Sequence, residues 1–193
     1  MSAYDAFDDP YCYDGTSVLR NRLDLQTQDE LTEFEHAMSS QRAEEPLPAG
    51  DLDQHHYCAL HRHFYQDVYD WAGELRTVRT AKGGNAFCFP ENIVAELKKL
   101  FGALASAGHF HGLDADSFSS SAAHFLAELN AIHPFREGNG RTQLTFLKLI
   151  ADAAGHPIDL RRLDPPAMLQ AMITSFSGDE QPLTRVIRQL VAV

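Results

Sequence analysis

A base, an acid, two glycines and an arginine fall within nine residues at His133-Pro134-Phe135-Arg136-Glu137-Gly138-Asn139-Gly140-Arg141. Apolar segments flank this string on both sides, so its polar content has no packing purpose, and that conflict marks a functional position. Gly138 and Gly140 let successive backbone amides turn toward one point, and the helix predicted to start there leaves its first amides unsatisfied. Together they form a nest for an anion such as phosphate. Arg141, in the first turn, adds a fork of donors for two phosphate oxygens. Glu137 alone would repel that anion. A magnesium ion between carboxylate and phosphate removes the conflict, because magnesium is commonly held by one carboxylate together with substrate oxygens and water. His133, with an intrinsic pKa of about 6.5, can accept a proton from an attacking hydroxyl at neutral pH. Singly, a histidine before proline is often a helix cap and Gly-Asn-Gly a simple turn; the joint order is what points to phosphate chemistry. Phe135 reads as a core anchor that fixes the loop.

The same string resembles the signature of the Fic family, His-x-Phe-x-(Asp/Glu)-Gly-Asn-Gly-Arg-x-x-Arg, whose typical members transfer AMP. The resemblance covers most of the chain. Asp9-Pro10-Tyr11 with Asn21 and Leu23 resembles the start of small bacterial Fic toxins, and His61 to Gly73 is similar to the family's helix ending in Trp-Ala-Gly. What the resemblance implies is ATP as substrate, magnesium as cofactor, and a partner protein that offers a Tyr, Thr or Ser hydroxyl. His133 becomes the general base, Glu137 the magnesium ligand, Gly138, Asn139 and Gly140 the phosphate-binding loop, and Arg141 a further phosphate contact. A hairpin corresponds to the family's flap, whose Gly83, Gly84, Asn85 and Phe87 would position the target, with Lys82 touching phosphate or target. One position departs from the signature: its second arginine falls on Leu144. Lys148, one turn along the same face, is the candidate to supply the missing charge. The family's inhibitory motif has only a flawed match at Ser40 to Glu44, which leaves inhibition to a separate small antitoxin. The alternatives are transfer of the gamma-phosphate on the same fold, or a module that binds without catalysis because of Leu144.

The elements that must hold this loop are mostly helical. Thr27 with Glu30 three residues on is a capping box, and Leu31, Phe34 and Met38 follow at helical spacing, predicting a helix over Gln28 to Arg42. Thr16 to Leu23 reads as two helical turns. Asp51 is the expected cap of a helix through Tyr57, Leu60, Phe64 and Val68 that runs into Trp71-Ala72-Gly73. The period then changes: Leu75 to Thr80 and Phe87 to Phe89 read as two short strands around Lys82-Gly83-Gly84-Asn85. Pro90 opens a helix ending near Gly108, and others follow over Asp116 to Ile132, Gly140 to Ala154, Ala167 to Phe176 and Pro182 to Val191. The third of these five should end at Gly155 and be central and buried. The expected fold is all-α, a Fic-like helical bundle with one β-hairpin flap at about residues 75–89. It is read as a single domain over 1–193, with an N-terminal arm and helices over 1–50 and the core over 51–193.

Bulk properties narrow the partners. With 27 acidic against 16 basic residues the formal charge is -11, which repels nucleic acid and anionic lipid and argues against both as partners. Cys12, Cys58 and Cys88 are too few and too scattered for a disulfide framework or a metal site. Met1 to Asp9 is acidic without an apolar run, so neither a secretory signal nor a membrane span is expected and the cytoplasm is the expected location. The cluster His55, His56, Cys58, His61 and His63 invites a metal reading. On a helix His56 and His63 share a face within about 20 degrees but lie two turns apart, too far for one ion. His61 reads as structural.

Overall fold

Thr27 lies in extended backbone, and its hydroxyl accepts the Glu30 amide and donates to the Glu30 carboxylate, which starts helix α1, Gln28–Ala43. The pair read from the sequence as a capping box is in place, with the Glu30 carboxylate taking the Thr27 hydroxyl rather than the Thr27 amide. The computed structural model describes residues 9–192, so the acidic start at Met1 to Asp9 lies outside the described residues except for Asp9. Helix α2, Gln54–Tyr65, is capped by Asp53, which accepts the His56 amide at 2.8 Å. The cap falls two residues after the expected Asp51 because Leu52, at φ 56, turns the chain in between. The helix also stops short of Gly73. Successive turns through Val68, Tyr69 and Ala72 bury those three side chains instead.

Thr16 to Leu23 is not helical. Cys12 bridges Leu19, the Tyr13 amide donates to Val18, and the Arg20 amide returns to Tyr11. Gly15 at φ 73 makes the reversal, and adjacent Val18 and Leu19 are both buried, which two turns of helix on a surface would not achieve.

The hairpin is narrower than its sequence pattern. Strand β1, Ala81–Lys82, pairs antiparallel with β2, Asn85–Ala86, around Gly83 and Gly84 at φ 58 and 82, the positive angles that a two-residue turn demands. Its base is closed by the Phe87 amide to Thr80 and by Arg76, 2 % exposed, whose guanidinium donates to the carbonyls of Val78 and Cys88. Side-chain staples replace the longer ladder expected over Leu75 to Phe89.

Helix α3, Pro90–Ser106, opens on its proline. Helix α4, Ala115–Ile132, is capped by Asp114, which accepts the Ser117 amide at 2.8 Å. Helix α5, Asn139–Ala154, closes with Gly155 at φ 83 and the His156 amide returned to Ala151. Its burial is one-sided: Phe146, Leu147, Ile150 and Ala151 are covered, while Leu144 and Leu149 are half-buried. Helices α6, Pro165–Ser175, and α7, Gln181–Leu190, follow, with α4 packed on α7 and α6 on α7.

The chain forms two units. The first comprises the described residues through Ile93 together with Pro134–Thr142; its core holds Leu31, Phe64, Tyr65, Val68 and Tyr69. The second comprises Val94–His133 and the chain from Gln143 onward, around Phe101, Phe118, Phe125, Phe146 and Leu183. Among the described residues no helix is long and apolar enough to cross a membrane.

Candidate active site

His133 is the last word of helix α4. It caps the helix in the left-handed region, φ 48 and ψ 63, with its amide bonded to Leu129 and its side chain buried. Pro134 disfavours helical backbone at His133, which ends the helix there, and histidine tolerates the left-handed region better than most.

The loop that follows is held from three sides within the first unit. Pro134 accepts the Arg76 amide at 2.8 Å. Phe135 is fully buried, its ring stacked on His61 at 3.8 Å and on Tyr57 at 5.3 Å, so it is the anchor its sequence position suggested. Asn139 grips the same residue: its Oδ1 accepts the Phe135 amide at 3.0 Å and its Nδ2 donates to the Phe135 carbonyl at 2.8 Å. The Asn139 side chain is thus committed to the loop's shape, and what it can offer a phosphate is its backbone amide. His61 supplies the third hold. Its Nδ1 accepts the Gly73 amide at 2.8 Å, so the proton sits on Nε2, which donates to the Glu137 carbonyl at 3.0 Å. Burial pushes its pKa down to about 4, partly offset by the bond to Glu137, and the ring stays neutral.

Gly138 at φ 79 has no substitute. A Cβ there would lie 2.3 Å from the Tyr65 ring, and the backbone angle is one L side chains rarely adopt. Its amide donates to the Glu137 carboxylate at 3.0 Å. The amides of Asn139, Gly140 and Arg141 then open α5 before its first internal bond, from the Thr142 amide to Gly138. Gly140 is exposed with open space around it, which leaves room for a ligand to approach the backbone.

A cleft of about 250 Å³ lies beside this helix start, with Glu35, His36, Tyr69, Arg136, Glu137 and Arg141 among its walls. Arg141 Nη1 is buried without a hydrogen-bond partner. A carboxylate and an unspent guanidinium donor facing one cleft fit a metal-bound phosphate, since each partner needs a charge the other does not supply. Tyr69 and Glu35 complete the wall: the phenol donates to the Glu35 carboxylate at 2.8 Å. Burial and then the Glu137 charge push the Glu35 pKa up to about 7, against the Tyr69 bond and Arg141. Burial and the neighbouring Glu35 push the phenol well up, which keeps it a donor.

Other expected residues are placed differently. Lys82, Gly83, Gly84 and Asn85 are exposed at the hairpin tip, whereas Phe87 is buried at its base and offers a target only its backbone. Lys148 is ion-paired with Asp152 at 2.5 Å, and it does not line the cleft that Arg141 faces. His56 and His63 each bond a backbone carbonyl, of Pro48 and Arg42. Among the described residues no three of His, Cys, Asp and Glu converge on one metal position. Glu35, Tyr69, Arg76 and Arg136 were not singled out from the sequence. Glu35 had a signal, because it lies one turn after Leu31 and one before Ser39, both buried, and an acid on the buried stripe of a helix calls for a reason. The ion pair of Arg136 with Asp9 had none.

Residues 51–151 match the family model described as the Fic/DOC family. The chain belongs to the Fic/DOC family. Over its full length this Fic/DOC protein is 54% identical to "Probable protein adenylyltransferase y4lH" of Sinorhizobium fredii, covering 99% of this chain and 100% of that one. It is 35% identical to protein adenylyltransferase VbhT of Bartonella schoenbuchensis over 98% of this chain, and it spans 40% of that longer protein. Among solved structures, the BepC effector of Bartonella tribocorum with bound AMPPNP superposes with a TM-score of 0.85 at 26% identity, covering 94% of this chain and 96% of that one.

Proposed function

We propose that this Fic/DOC protein is a protein adenylyltransferase that transfers AMP from ATP to a hydroxyl side chain of a target protein. The observation that carries the reading is the cleft at a helix start that both Glu137 and Arg141 line, Arg141 keeping a buried donor without a hydrogen-bond partner. Relatives named protein adenylyltransferase and a fold neighbour crystallised with an ATP analogue support it.

ATP binds with its phosphates on the amides that open α5, where partial positive charge and the Arg141 fork receive them. Glu137 would hold a magnesium ion, which would supply neutralising charge to the leaving pyrophosphate. The exposed hairpin tip at Lys82 to Asn85 aligns the backbone of the target. His133 takes the proton of a Tyr, Thr or Ser hydroxyl as its oxygen attacks the alpha-phosphorus. The new bond joins that oxygen to phosphorus, the bond to the beta-phosphate bridge breaks, and pyrophosphate departs while Arg141 stabilises its charge. The proposal extends to a toxin-type activity in the cytoplasm, held in check by a separate small antitoxin.

Incubation with bacterial lysate and ATP labelled on the alpha-phosphate tests the reading. The wild type should label a protein band, and His133→Ala should label none while its circular dichroism spectrum is unchanged. Equal labelling by both removes His133 as the base. A band labelled only from gamma-labelled ATP would replace nucleotidyl transfer with phosphotransfer.

A further inference from the structure

We propose that the hairpin selects its target by charge, with Arg79 and Lys82 favouring a hydroxyl carried in an acidic stretch of the partner protein. The inference deepens the functional reading and rests on its placing the hairpin against the target's backbone.

Charge is spread unevenly along the chain. Between Glu74 and Glu91 stand Arg76, Arg79 and Lys82 and no acid, in a protein of formal charge -11. Arg76 is buried at the base, where it donates to the carbonyls of Val78 and Cys88. Arg79 and Lys82 are exposed. Among the described residues neither forms an ion pair, whereas Arg20, Arg22, Arg42, Arg161 and Arg188 all do.

Arg79 is also held ready. Its guanidinium carbon lies 4.1 Å from the centroid of the Phe89 ring, and Phe89 is 43% exposed. Stacking occupies the face of the guanidinium and leaves its N–H edge open to a carboxylate. That ordering precedes the arrival of a target, so less freedom is lost on binding. The large aromatic left at the surface gains a purpose as the platform for the cation. Lys82 pairs with Asn85 beside the turn, three residues from Arg79. Three residues of extended chain span about 10 Å, about one Debye length at ~0.1 M salt, so both charges act on a strand laid along the hairpin. The strands are two residues each and offer few backbone bonds, which are blind to side chains; charge adds the choice. The acidic remainder of the chain repels such a segment elsewhere, which confines its docking to the hairpin.

Fluorescein-labelled peptides test the inference, each with a central tyrosine flanked by glutamates, by glutamines or by lysines. Fluorescence anisotropy on the full chain, without nucleotide, reads their affinity. The glutamate peptide should bind about tenfold or more tightly than the glutamine peptide and lose that margin in high salt. Arg79→Gln and Lys82→Gln should each cut its affinity by about threefold, with unchanged circular dichroism spectra. The double variant Arg79→Glu/Lys82→Glu should reverse the order, so that the lysine peptide binds best. Equal affinity for the glutamate and glutamine peptides, no binding of the glutamate peptide, or an order that survives the double reversal overturns the inference. A loss of AMPPNP affinity in Arg79→Gln or Lys82→Gln that matches the loss of peptide affinity gives the cations to the nucleotide and overturns it too. So does a labelled oligothymidylate that binds more tightly than the glutamate peptide. If the wild type labels no protein from alpha-labelled ATP while the glutamate peptide still binds, the transfer reading fails and the charge preference stands.

Discussion

Gly138 and Gly140 are indistinguishable as letters, and the molecule treats them in opposite ways. Gly138 combines φ 79 with a tyrosine ring where its Cβ would go; Gly140 has open space on that side. Gly138→Ala should therefore lower stability by about 2 kcal/mol or more, from backbone strain and overpacking together. Gly140→Ala, inside a helix, should change it by less than about 1 kcal/mol. Urea unfolding of the two variants side by side is the measurement, and equal losses would contradict the role given to Tyr65. Asn139 teaches the same lesson: the sequence assigns it to the phosphate loop, but its side chain is consumed by the Phe135 backbone. Residue types and order marked this loop as a site. The loop is also held by Tyr65, His61 and Asp9, which reach it from distant segments that no local pattern connects.

Helices with capping residues were legible to within a residue or two, as α1, α4, α6 and α7 show, because Thr27, Asp114 and the prolines act locally. Elements fixed by tertiary contacts were not. The turns around Cys12 and Leu19 exist to bury two adjacent apolar residues, and the hairpin is held by a buried arginine rather than by a long ladder. Arg76→Met tests that last statement. Leaving the Val78 and Cys88 carbonyls without their charged donor should cost about 1–3 kcal/mol, and amide exchange should rise across Ala81 to Ala86. On the proposed function, transfer to the target should fall more than ATP binding does. A hairpin with unchanged exchange would show that Arg76 is dispensable to it.

For the whole chain, His61 makes stability depend on acidity. Its folded value of about 4 lies below the 6.5 of a free imidazole, so between those two values the unfolded chain carries a proton that the folded chain does not. Its contribution is complete above pH 6.5 and is lost as pH falls toward 4, by about 3 kcal/mol in total. Glu35 works in the opposite sense, because its folded value of about 7 means that the folded chain keeps a proton the unfolded chain releases near 4.5. Urea titrations at pH 7 and pH 4.5 on wild type and His61→Asn separate the two: the variant should show a smaller loss on acidification, and an identical loss would remove His61 as the cause. The family signature and the helical class could both be read from the sequence, since they rest on contiguous residues and local periodicity. The bond from His61 to Glu137 and the pair of Asp9 with Arg136 could not. The His61 imidazole ties the Gly73 turn to the carbonyl of Glu137 with one proton placed on one nitrogen. Acid that adds a second proton turns Nδ1 into a donor facing the Gly73 amide and breaks the tie there, while Nε2 goes on donating to Glu137, so acidification should loosen the Gly73 turn and leave the catalytic loop still fastened to the imidazole.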